Sequence, residues 1–287
     1  MKKLLSLLTV LALSLSSFAG TGATDSADAQ KESAAALAQT QAGAAKLHSP
    51  LSTSTCSFTF SSGTLNNFLK YCVTANGNIT QFQTPKGHEH IAVGVFGEGY
   101  GVCDFNSFIG YSDYAGFGDS GNWQNATVAS HSPTSVKIVR NTSDGIWTLT
   151  QTIAQSAGAG SAKVTMALKN NTAVDRLVEI LRYADVDADS IFDNNFDGTV
   201  NSAFGWIPVG TSATEPSFGM MMQDVSTTSF EHNGFAQGTA SGPDPCNPFA
   251  NWFPGTRVGV DGSLVMLYTI DIPAKATRTV SVSYKGM

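Results

Sequence analysis

Three segments of this chain alternate apolar and polar residues with a period of two. Trp147, Leu149 and Ile153 share one phase while Thr148, Thr150 and Thr152 share the other. Val164, Met166 and Leu168 alternate with Lys163, Thr165 and Lys169, and Val280, Val282 and Tyr284 alternate with Thr279, Ser281 and Ser283. Successive side chains on a strand point to opposite faces, so this pattern makes half-buried antiparallel strands and no amphipathic helix. Residues 264–272 are apolar in both phases, which places them centrally in a sheet. Further strands are expected at 56–60, 68–73, 79–83 and 136–140. Tight turns punctuate them at Ala75-Asn-Gly-Asn, Asn141-Thr-Ser-Asp-Gly and Pro273-Ala-Lys-Ala. No helical period persists after Pro50. The expectation is an all-β chain, with residues 50–287 forming one large antiparallel β-sandwich.

The first 49 residues do not belong to that pattern. Residues 1–19 carry Lys2 and Lys3, an apolar run from Leu4 to Leu15, and Ser17-Phe18-Ala19 as a small-x-small cleavage site. This is the anatomy of a secretory signal, too short to span a bilayer. Residues 20–49 are rich in Ala, Gln, Ser and Thr without one aromatic, and read as a linker or propeptide. Loss of the signal leaves 14 basic and 22 acidic residues, a formal charge of −8. That balance argues against nucleic acid or an anionic membrane as partner. Cys56, Cys72, Cys103 and Cys246 all follow the signal, and an even count in an exported chain favours two disulfides. Without a Cys-x-x-Cys pair a metal reading is poor. The expected pairs are Cys56–Cys72, between near strands, and Cys103–Cys246, across a long loop.

Residues 179–206 hold the densest group of carboxylates. Asp185, Asp187 and Asp189 alternate, and Asp193 and Asp197 resume the same odd phase. On an extended backbone these share a face, where they repel unless solvated, protonated or met by a cation. The spacing suggests a calcium loop, although Ser190 stands where an EF-hand has its turn glycine and Phe196 where it has its glutamate. The bland alternative is a solvated acidic loop. Glu179, Tyr183 and Asp185 also share a phase and could supply acid–base chemistry on a sugar. His88 and His90 form a His-x-His pair suited to a metal, with Glu98, His131 or His232 as third ligand, or else a polar patch at a strand start.

Residues 97–123 mix glycines, aromatics and short polar residues, as do residues 241–252. Flat rings that stack on sugar C–H faces, with Asp and Asn for hydroxyls, are the chemistry of glycan recognition. Tyr111, Tyr114, Trp123 and Trp252 are the expected platform, and Phe105, Phe108 and Phe117 the expected core plugs. No nucleophile elbow, phosphate loop or dinucleotide fingerprint is present, so no organic cofactor is expected.

The order NGNITQFQTP (76–85), VTMALKNNTAVDRLVEILRYADVDAD (164–189) and LYTIDIPAKATRTVSVSY (267–284) resembles the two-sheet sandwiches of galactose-mutarotase-like and polysaccharide-lyase domains. The resemblance implies that fold and an association with carbohydrate, with no catalytic signature to carry over. Three functions fit these features. The first is non-catalytic glycan binding by a secreted protein through the aromatic loops. The second is a lyase, hydrolase or epimerase using His88, His90, Glu98, Tyr183 or Asp185. The third is a structural or surface-interaction protein. The first is the expectation.

Overall fold

The computed structural model describes residues 55–91, 97–115, 118–156, 160–207, 218–239 and 241–287. The expected signal (1–19) and linker (20–49) lie outside them. Strands β1 (Phe58–Ser62), β2 (Leu69–Val73) and β3 (Ile79–Gln83) form a small antiparallel sheet. Strands β4 (Glu98–Asp104), β5 (Ile109–Tyr114) and β6 (Gly118–Asp119) follow as a meander. A second meander runs through β7 (Thr127–Ser132), β8 (Ser135–Asn141), β9 (Trp147–Gln155) and β10 (Ser161–Asn170). β11 (Arg176–Asp185) returns to pair with β4. β12 (Asn194–Thr199), β13 (Ser202–Ile207) and β14 (Phe218–Asp224) add another meander, and β15 (Glu231–Gln237) and β16 (Arg257–Val260) take opposite sheets. β17 (Ser263–Ile272) and β18 (Thr277–Gly286) then fill the two central gaps.

The result is a nine-stranded antiparallel sheet, β16-β12-β13-β14-β18-β10-β9-β8-β7, and a six-stranded one, β15-β17-β11-β4-β5-β6. All strands pair antiparallel, and no α-helix occurs among the described residues. The alternating segments sit as their period requires. Val164, Met166, Leu168, Val280, Val282 and Tyr284 of the large sheet meet Tyr100, Val102, Val178, Ile180, Tyr268 and Ile270 of the smaller one in a single buried core. This is a β-sandwich.

The segment 264–272 is apolar in both phases because the smaller sheet is covered twice. Its even-numbered residues face the intersheet core, whereas Val265 and Leu267 join Leu181, Tyr183, Phe235 and Tyr114 in a second cluster. The β15–β16 connection lies against that cluster. Tyr114 donates its hydroxyl to the Pro243 carbonyl at 2.7 Å, a Cβ on Gly242 would strike the Tyr114 ring, and Phe249 stacks on Phe235 at 4.8 Å. Both expected disulfides are formed, with Cα separations of 5.5 Å for Cys56–Cys72 and 5.0 Å for Cys103–Cys246. The second joins β4 to the covering connection, so the two aromatic-rich segments do lie side by side. They are not both loops, however: residues 98–114 are strands β4 and β5 with their hairpin turn.

Candidate functional site

The catalytic candidates do not meet in one cleft. Glu98 is fully buried between the sheets, where its carboxylate accepts from the Ile79 N–H at 2.6 Å, the Tyr284 hydroxyl at 2.5 Å and the Arg182 guanidinium. Arg182 in turn donates to Gln151 of β9 and to the Gly77 carbonyl. Burial pushes the Glu98 carboxyl upward, and the Arg182 charge is the largest influence pulling it back. Every partner is internal, so Glu98 bonds the sheets together and has no substrate-facing atom. Tyr183 is buried in the second cluster, edge-on to Tyr114 at 5.3 Å, and desolvation raises its hydroxyl well above the ordinary value. Glu179 shares the β11 phase of Tyr183 and Asp185 as expected, but the charge acting on it is Glu231, on the far side of Thr269 in the same sheet; its pKa is raised by burial and then by that carboxylate.

The two histidines also part company. His88 pairs with Asp189 at 2.7 Å and stacks on the Phe218 ring at 3.6 Å. His90 is buried, its Nε2–H donating to the Thr84 carbonyl at 2.7 Å, and desolvation lowers its pKa. The other proposed ligands lie elsewhere: His131 packs on Phe58 and Phe60, and His232 bonds Phe230 O and Asn201.

Three of the four platform aromatics are core residues. Tyr111 and Trp123 are buried and meet edge-on at 5.9 Å; Tyr111 donates to Asp144 at 2.5 Å and Arg140 lies over the Trp123 ring at 5.3 Å. Tyr114 closes the second cluster. The physical reason is that β5 is packed on both sides, Tyr111 entering the intersheet core and Tyr114 the second cluster, while Trp123, bridged to Thr142 beyond β6, packs into the intersheet core; rings placed there fill space and cannot stack on a sugar. Conversely, Phe108, expected as a core plug, is 75% exposed at a turn. Phe105 packs edge-on to it at 6.1 Å, and Phe117 lies outside the described residues.

Trp252 alone of the four meets solvent, at 47% exposure. Its backbone bridges to Gln237 at the end of β15, and its ring stands edge-on to Phe249 at 6.4 Å. It lines a groove of about 320 Å³ where the edge of the smaller sheet meets the β12–β13 turn. Thr199, Val200, Asn233, Phe253 and Pro254 also line it. Gly234 permits the contact, because a Cβ there would lie 2.6 Å from the Ser202 backbone. An open groove with an exposed indole, a second aromatic ring and two short polar side chains can hold a flexible, hydroxyl-rich chain.

The acidic segment is not one extended face. β11 ends at Asp185, a single 3₁₀ turn spans Ala188–Ser190, and Asp189 and Ser190 take left-handed backbone at φ 53° and 69°. The odd phase is therefore broken. Asp189 turns to His88, and Asp197 accepts from its own turn at Gly198 N and from Thr256 Oγ. Asp185 and Asp187 instead converge with Asp261, from the β16–β17 turn, with ligand oxygens within 4.8 Å of one another. Asp193 lies close enough to Asp261 to raise its pKa, after desolvation. Burial comes first for Asp185, held well above the usual carboxylate range, and for Asp187, pushed to about 7; neighbouring carboxylates add to both. Sequence reasoning missed Asp261 because it lies 74 residues beyond Asp187 and reads locally as an Asp-Gly hairpin turn.

No family model matches the chain, and no curated protein matches it. Among solved structures it is similar to a bacterial glucoamylase complexed with acarbose, with a TM-score of 0.55 at 7% identity. The match covers 82% of this chain and 32% of the glucoamylase, so the chain spans about a third of that protein's length. A galactose mutarotase-like protein from Lactobacillus casei aligns with a TM-score of 0.42 at 8% identity, over 80% of this chain and 99% of its own. A polysaccharide lyase aligns with a TM-score of 0.42 at 10% identity, over 79% of this chain and 33% of its own. The likeness is one of fold. No helix among the described residues is long and apolar enough to cross a membrane.

Proposed function

We propose that this chain is a secreted, non-catalytic carbohydrate-binding protein whose contact surface is the Trp252 groove. The observation that carries the reading is the exposed Trp252 ring, set on a disulfide-held connection and facing a groove with Thr199 and Asn233 in its wall. An indole left nearly half in water forfeits burial that the fold gives to Trp123 and Trp147, and sugar C–H faces restore it on binding. The Cys103–Cys246 bridge restrains the connection beforehand, which reduces the ordering cost of association. The two-sheet fold, shared with part of a glucoamylase solved with acarbose, supports carbohydrate as the class of ligand. Two disulfides suit the oxidising conditions outside the cytoplasm.

Native affinity electrophoresis through gels containing starch, xylan, mixed-linkage β-glucan or pectin tests this directly. At least one should retard the protein, and Trp252→Ala should weaken that retardation about fivefold, as loss of roughly 1 kcal/mol of ring stacking implies. Its melting temperature should stay near that of the parent. Migration unaffected by every polysaccharide would overturn the reading and leave the groove as a protein contact surface.

A further inference from the structure

We propose that Asp185, Asp187 and Asp261 together hold one divalent cation of the hard, oxygen-seeking class that calcium represents. The inference does not depend on the glycan reading. Three carboxylates from two chain segments come within 4.8 Å of one another, about twice a calcium–oxygen distance of roughly 2.4 Å. A single ion at their centre would reach all three.

The second observation is the state of the oxygens. Asp185 is 2% exposed and Asp187 1%, yet Asp185 Oδ1 and both oxygens of Asp187 are buried with no hydrogen-bond donor. Buried carboxylates ordinarily accept two or three hydrogen bonds or face a guanidinium, as Glu98 does here. The charges that act on this group are carboxylates: Asp187 and Asp261 on Asp185, Asp261 on Asp187, and Asp193 on Asp261. Like charges held this close, two of them buried, need a counter-charge, and a cation supplies it while accepting the unused lone pairs.

The donor set chooses the kind of ion. All three ligands are carboxylates, without the imidazole or thiolate that zinc and copper favour. Asp261 is exposed, so water can complete the six to eight oxygens that calcium accepts at irregular positions. Magnesium would demand a regular octahedron and keep more of its own water. The ion would fasten the β16–β17 turn to the end of β11. Those elements already touch there, where Val186 N–H faces the Gly262 carbonyl at 3.5 Å and Asp185 lies opposite Ser263.

The test is a calcium titration of chelator-stripped protein, followed by thermal unfolding at constant ionic strength, with equilibrium dialysis to count bound ions. The expected result is one calcium per chain and a melting temperature raised by roughly 5–10 °C at about a hundredfold excess over Kd. Asp261→Asn leaves the buried pair in place and changes an exposed side chain, so it should fold normally in EDTA. It should weaken calcium binding at least about tenfold and lose most of the thermal gain. No bound calcium, magnesium or manganese would overturn the proposal. So would an equal gain in the Asp261→Asn protein, which would put the ion elsewhere.

Discussion

Glu98 and Arg182 meet between the two sheets with both side chains fully buried, and each uses the other to justify its place in a dry core. Removing one partner leaves an uncompensated buried charge, which costs far more than the pair contributes. Arg182→Met should therefore lose about 3–5 kcal/mol in urea unfolding. Adding Glu98→Gln to that variant should recover much of the loss, because the orphaned charge is gone. A single variant within about 1 kcal/mol of the parent would show that the core relaxes around Glu98. None of this network could be read from the chain, since Glu98, Gln151, Arg182 and Tyr284 meet only after four strands are aligned. The same limit explains Tyr111, Tyr114 and Trp123. Rings in a glycine-rich stretch suit a buried position as well as an exposed platform, and the layers packed on them decide which they become. Trp252, whose connection crosses the edge of the sheet, remained outside.

Period-two alternation identified β9, β10 and β18 because each has one face against the core and another partly exposed. It failed for β4, whose seven residues are all buried and which carries two carboxylates and two glycines. The cysteine pairing was legible from count and spacing, while what the longer bridge fastens was not. That bridge spans 143 residues and holds the β15–β16 connection on the second apolar cluster. The double variant Cys103→Ala/Cys246→Ala should lose up to about 5 kcal/mol in the chain-entropy account. It should also become open to protease cleavage between residues 238 and 256 before global unfolding, because Tyr114, Leu181 and Phe235 would then lose their cover. Urea melts and mass mapping of early fragments measure both; an unchanged melt with no new cleavage would mean that packing alone holds the connection.

Across the whole molecule, the balance of titrating groups makes the dependence of stability on pH informative. Asp187 has its folded pKa raised from 3.8 to about 7, so without a cation the folded state binds more protons than the unfolded state between those values. Stability from this group is present at low pH and falls as pH rises toward about 7. Asp185 and Asp261 act in the same direction, with Asp193 and Tyr183 as the other groups facing them. Buried His90 opposes them, since its lowered pKa makes stability fall as the solution is acidified below its ordinary 6.5. The comparison that isolates the carboxylates is with Asp187→Asn in EDTA. Between pH 5 and 7 the parent should lose melting temperature relative to that variant, and saturating calcium should cancel the loss. Parallel melting curves at both pH values would refute it. The placement of the four tryptophans has a separate use. Trp123 and Trp147 are sealed, Trp206 is mostly covered, and Trp252 stands nearly half in water. Emission from this protein is thus a sum of shielded indoles and one open to collision with a dissolved quencher. Occupation of the groove would shade that one alone, so the unlabelled, unmutated protein carries its own optical gauge of what enters.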